Sequence, residues 1–102
     1  MEDIKNLKSY ELTILVKENS WLYEVGDIVQ KHFFIERADP TKYDKLAYPI
    51  TKGGLTYDCA TYMFYYLVER NKSSVTELCD ELNKHPDVLR YLLVKTKELQ
   101  KG

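Results

Sequence analysis

Few side chains in this sequence could do covalent or metal chemistry. Cys59 and Cys79 are its cysteines and His32 and His85 its histidines. A zinc centre made from them would need close pairs such as C-x-x-C or H-x-x-x-H, which let one short segment present two donors to an ion. Neither spacing occurs, so the cysteines read as small, partly buried hydrophobes, and neither a metal nor a cofactor is expected. No G-x-S-x-G, Walker loop or H-E-x-x-H is present. Lys52-Gly53-Gly54 does not lead into a helical pattern, and its glycines suit a turn that needs positive φ better than a phosphate cradle. Neither histidine has an acidic or nucleophilic partner that the sequence can name. The expectation is a binding protein with no small-molecule substrate, not an enzyme.

Composition narrows what could be bound. The chain has 102 residues, a formal net charge of −1, and nine tyrosines against three phenylalanines and one tryptophan. That length suits a single domain spanning residues 1–102. Apolar runs are only a few residues long, far short of the ~20 that a membrane-spanning helix needs. The opening MEDIKNLKSY lacks a charged-then-apolar signal pattern, so a cytoplasmic location is expected. Near-neutrality argues against binding nucleic acid by bulk electrostatics alone. Charge is unevenly spread, however: residues 18–39 hold five acids and two bases, whereas Arg90, Lys95, Lys97 and Lys101 face only Glu98 near the end.

The elements that must position these residues follow from periodicity. Residues 9–17 alternate, with Tyr10, Leu12, Ile14 and Val16 on one face, as in a strand with one buried side. Asn19 and Ser20 are capping types, and Leu22, Val25, Ile28, Val29 and Phe33 follow at helical spacing, weakened by Gly26. A second strand begins at residues 34–37, breaks at Ala38-Asp39-Pro40 and resumes at residues 45–50, with Pro49 marking an edge. Thr51-Lys52-Gly53-Gly54 turns into a long third strand, residues 55–69. Ser74-x-x-Glu77 has the form of a capping box, and the helix it opens stops at His85-Pro86-Asp87. Residues 88–97 complete a fourth strand.

Strand, helix, strand, strand, helix, strand is the order of an α+β ferredoxin-like βαββαβ plait. Its four-stranded antiparallel sheet carries both helices on one face. The third strand is apolar on both faces, so the face away from the helices should carry an exposed patch that includes Leu15, Leu92 and Val94. Tyr10 and Tyr66 are expected in the core, and Tyr65 on the open side. Base stacking of the RNA-recognition type is disfavoured, because ATYMFYYLVE lacks that module's glycine and preceding basic residue.

Lys45-Leu46-Ala47-Tyr48-Pro49-Ile50 resembles the R-x-L-A-Y-P-I segment of bacterial small-subunit ribosomal protein six. The stretch from Val68 to Glu98 is similar to that family without a gap, through Val75, Leu78, Leu82, Asp87-Val88, Arg90 and Val94-Lys95, and Tyr10-Glu11 matches its usual Y-E start. The resemblance implies the same plait and a non-enzymatic constituent of the small ribosomal subunit, in a bacterial or organellar ribosome. It further implies binding to the central domain of small-subunit ribosomal RNA together with ribosomal protein eighteen. Carried over residue by residue, it makes Lys45, Lys52 and Arg90 the expected RNA contacts. Tyr48 and its edge strand are the expected protein contact, joined by Leu15, Tyr65 and Leu92 of the open face. The chain departs from the family in carrying Asp44 beside Lys45, where a basic pair is usual. An interaction module that dimerises through its open sheet face is the alternative reading.

Overall fold

The structure, a computed structural model, describes residues 8–17 and 22–96. Its elements run β1 (Ser9–Val16), α1 (Leu22–His32), β2 (Phe33–Lys52), β3 (Leu55–Glu69), α2 (Ser74–Lys84) and β4 (Val88–Lys95). The strands form one antiparallel sheet in the order β2-β3-β1-β4, as the plait requires. The expected caps Asn19 and Ser20 lie outside the described residues, as do Lys97 and Lys101.

Alternation on β1 builds the main core. Leu12, Ile14 and Val16 are buried with Val25 and Val29 of α1 and Leu78 and Leu82 of α2. Full burial of each such side chain contributes about 1.5–3 kcal/mol. Phe33 closes this layer from the first position of β2, not from the helix whose spacing it continues, and Tyr10 packs edge-on to its ring at 5.7 Å.

Register decides which half of β3 joins that core. Leu12 pairs with Tyr65 and Leu93, and Ile14 with Met63 and Tyr91; cross-strand partners share a face. Tyr65 is therefore beneath the helices at 8% exposure, and its expected place on the open side is overturned. Tyr66 takes the open side instead, opposite Glu11. Because β3 is apolar on both faces, only the β1–β3 pairing could settle this parity.

The interruption expected near Pro40 is absorbed within one long edge strand. β2 shifts register between Asp39 and Lys42 and again between Lys45 and Ile50, so Pro40 and Pro49 fall where no ladder N–H is needed. Gly53 and Gly54, with φ of 61° and 81°, supply the two positive values that a tight hairpin turn matching strand twist demands. α2 begins as expected, but the capping box does not form. Ser74 Oγ accepts from the N–H groups of Arg70 and Asn71 at 3.0 and 3.1 Å, fastening the preceding turn, while Ser73 occupies the cap position.

Gly26 lies inside α1, where glycine costs about 1 kcal/mol relative to alanine. A Cβ there would sit 3.5 Å from the Tyr65 hydroxyl, an ordinary contact. Gly26→Ala is therefore expected to stabilise the protein by about 0.5–1 kcal/mol, read in urea as a higher midpoint at unchanged slope.

Candidate nucleic-acid and partner interface

The segment from Lys45 to Ile50 forms an arch on the edge strand. Lys45 pairs with Cys59 and Ile50 with Tyr57, so Leu46, Ala47, Tyr48 and Pro49 stand opposite Asp58 alone. The surplus backbone must leave the sheet, and its apolar ends pin it down. Leu46 and Ile50 are buried in a second cluster with Ala60 and Leu89, against which Leu15, Tyr57 and Tyr62 pack. Tyr48 rides the crest, 81% exposed. Two buried anchors thus hold an exposed aromatic ring away from the sheet.

The cations around the arch differ in how free they are. Lys45 is exposed, and its ammonium has no ion-pair partner among the described residues. The neighbouring acid does not neutralise it. Asp44 accepts the Lys45 backbone N–H through Oδ1 at 2.7 Å and holds the Lys42 ammonium 3.4 Å from Oδ2. That N–H bond first, and Lys42 second, lower the Asp44 carboxyl below its ordinary value. Arg90 is exposed on the open face opposite Leu15, likewise without an ion-pair partner among the described residues.

Lys52 is placed differently from the expectation. Its ammonium donates to the carbonyls of His85, at 3.4 Å, and Val88, clamping the hairpin to the junction of α2 and β4. The His85 carbonyl lies where α2 ends and its dipole is negative, so a cation is favoured there for reasons of folding. Lys52 and Arg90 nevertheless line one recess of about 240 Å³ together with Asn83 and Tyr91, and Lys45 is not part of it.

The open face carries an aromatic stripe that sequence reasoning identified only in part. Tyr62 and Phe64 stack with centroids 6.2 Å apart at 18°, and the Arg37 guanidinium lies 4.0 Å over the Tyr66 ring while pairing with Asp39 at 3.3 Å. Alternation at 62, 64 and 66 was the available signal, but it needed the β1 register to give it a side. Beyond β1, Leu92 is 62% exposed, and Val94 is exposed beside it. Leu15 is half covered by the arch cluster, so the patch is displaced toward β4 relative to the expected one.

Charged groups on the helix side form separate clusters. Glu24, His85 and Asp87 could present three ligand atoms within 4.8 Å of one another. However, His85 Nδ1 accepts the Asp87 N–H at 3.1 Å, which leaves the proton of a neutral ring on Nε2, directed at Glu24 Oε1 at 2.9 Å. A metal could bind Nε2 only by displacing that proton, so the donor set fits a hydrogen-bonded strut better than an ion. Glu81 of α2 accepts from Lys31 at 3.2 Å and contacts His32, and its carboxyl is lowered by the His32 bond first and by Lys31 after it. Burial pushes the Tyr65 hydroxyl up.

Neither family models nor curated protein sequences match this chain. Among solved structures, 30S ribosomal protein S6 from Thermotoga maritima superposes with a TM-score of 0.73 over 89% of both chains, at 17% identity. The likeness is one of fold.

Two outcomes follow from this electrostatic arrangement. Lys52→Met removes the cation from the end of α2 and a donor from the Val88 carbonyl, and should cost about 1–3 kcal/mol in urea unfolding, whereas Lys45→Met should change stability by less than about 0.5 kcal/mol. Because the folded Glu81 carboxyl is lowered, its contribution is present above the unfolded carboxylate pKa and is lost as pH falls through the folded one. Glu81→Gln should therefore flatten the stability–pH curve on the acid side, below about pH 4.5, as followed by circular dichroism.

Proposed function

We propose that this protein is a structural constituent of the small ribosomal subunit. In this reading it binds the central domain of small-subunit ribosomal RNA together with ribosomal protein eighteen, and it works by binding, not by catalysis. The observation that carries the reading is the arch: Lys45-Leu46-Ala47-Tyr48-Pro49-Ile50 is pinned by two buried residues with Tyr48 held outward, on a fold like that of 30S ribosomal protein S6. An exposed tyrosine on a rigid support gives a large contact area at low entropic cost, which suits a surface that a partner covers. Lys45 and Arg90 are exposed cations near the arch with no ion-pair partner among the described residues, open to phosphate. Lys52 joins them only as the wall of the shared recess.

Low net charge fits a shared surface. With a formal charge of −1, the chain alone has little non-specific affinity for RNA, and most of the binding energy comes from a composite surface made with the partner. This reading places the protein on ribosomes, in a bacterial cytosol or an organelle. The domain spans the whole chain.

The exposed Leu92 and Val94, beside the Tyr62–Phe64 stack, favour a second reading in which the open sheet face dimerises. Light scattering separates the two: a stable homodimer that excludes the RNA and the partner would replace the first reading.

Binding of the partner pair to a central-domain RNA fragment, titrated at several salt concentrations, tests the first reading. Lys45→Ala and Arg90→Ala should each make the dependence of log K on log salt shallower by about one unit. An unchanged slope would remove that residue from the RNA surface, and no binding by the unmutated pair at moderate salt would remove the RNA itself.

A further inference from the structure

The two edges of the sheet are built differently. In the order β2-β3-β1-β4, β2 and β4 each have one side without a strand neighbour among the described residues. β2 is blunted: Pro40 and Pro49 lack an N–H, its ladder shifts register three times, and Lys42, Asp44 and Lys45 charge its middle. β4 has no such guard between Arg90 and Lys95. It pairs with β1 there without a register shift, and its middle reads Tyr91-Leu92-Leu93-Val94. The Lys52 ammonium takes the Val88 carbonyl at the start of the strand, so the open stretch begins beyond it.

Backbone direction alternates along that stretch. The Thr96 N–H donates to the Ser9 carbonyl at 2.9 Å, which makes Ser9 and Thr96 a hydrogen-bonded pair. Counting back by two in this register, Val94, Leu92 and Arg90 turn their N–H and C=O groups to β1, whereas Lys95, Leu93 and Tyr91 turn theirs outward. The side chains of Arg90, Leu92 and Val94 stand on the open face, in rows with Leu15, Thr13 and Glu11. An unguarded strand with outward backbone groups is a template for another strand.

We propose that the free chain pairs with a second copy of itself along this edge, β4 antiparallel to β4, about a two-fold axis at Leu92. In that register Tyr91 of each copy exchanges two backbone hydrogen bonds with Leu93 of the other, and Leu92 faces Leu92 in a non-hydrogen-bonded pair. A register one residue off would set open-face side chains against helix-side ones, which cross-strand pairing forbids. Charge selects a copy of this chain as the occupant. Arg90 comes opposite Val94 of the second copy, and Glu11 of that copy lies in the same row one strand further, about 10 Å across the sheet. Arg90 and Glu11 are both exposed without an ion-pair partner among the described residues, and the two-fold makes their contact twice. A single strand pair is a small interface, so the dimer forms reversibly. Arg90 serves the second copy while no RNA is present, and the arch on the opposite edge stays open.

Amide hydrogen exchange by NMR and sedimentation velocity, on the full chain without RNA at low and high protein concentration, read the pairing directly. The expected result is a reversible dimer in which the Tyr91 and Leu93 amides exchange on the order of tenfold more slowly than in the monomer. Those of Leu92 and Val94, already bonded to β1, should not change. Arg90→Glu should weaken association about tenfold, and adding Glu11→Arg should restore it. A monomer at every concentration, a dimer whose Tyr91 and Leu93 amides exchange as in the monomer, or no restoration by the double variant would overturn the proposal. The chain is tested without RNA, so these outcomes are separate from the salt titration of the RNA complex.

Discussion

The antiparallel pairing of β1 with β3 constrains everything else, because strand side chains alternate with a period of two. With Leu12 opposite Tyr65, the residues Met63, Tyr65 and Leu67 go under the helices, and Tyr62, Phe64 and Tyr66 go to the open face. A slip of one residue would exchange the two sets while leaving each face apolar, so the polarity of β3 cannot specify its own register. β1 does so, since only one of its faces tolerates burial: Leu12, Ile14 and Val16 against Glu11 and Thr13. The same pairing presents Ala60 and Tyr62 to the arch, giving Leu46 and Ile50 something to bury against. Open-face and core-facing tyrosines are thus sorted by a decision made on a neighbouring strand.

This explains how much was legible in the sequence. Element order, the plait, the Gly53-Gly54 turn, the edge position of Pro49 and the stop at His85-Pro86 each rest on a local rule, and each appears in the structure. Tyr65 and Tyr66 take the faces opposite to those expected, because the rule that separates them is not local. Ser74 fastens the wrong side of the expected cap for a related reason: its hydroxyl finds N–H groups in the preceding turn that a sequence window centred on the helix ignores. Phe33 keeps helical spacing but belongs to β2, since the chain turns directly from helix to strand. Local sequence marks Lys52 only as a hairpin cation, and the carbonyls that hold it lie 33 and 36 residues further along the chain.

Nine tyrosines and almost no net charge now have separate physical accounts. Tyr65 fills the core, Tyr10 seats against Phe33, Tyr62 and Tyr66 line the open face, and Tyr48 is carried outward by the arch. Net charge is low because acids and bases are nearly equal in number, and several of the cations are paired within the fold: Lys42 with Asp44, Arg37 with Asp39 and Lys31 with Glu81. Lys45 and Arg90 escape that pairing. A surface with few free cations and a prominent aromatic suits recognition of RNA in the company of another protein, where contact area supplies affinity and a few phosphate contacts supply position.

The central claim, membership of the small ribosomal subunit, is tested most directly by sedimenting extracts that contain the tagged protein through a sucrose gradient. The account predicts that the tag travels with the small subunit and with whole ribosomes, and that it stays there at moderate salt. A tag that remains in the light fractions, while a known small-subunit protein sediments normally, would contradict it.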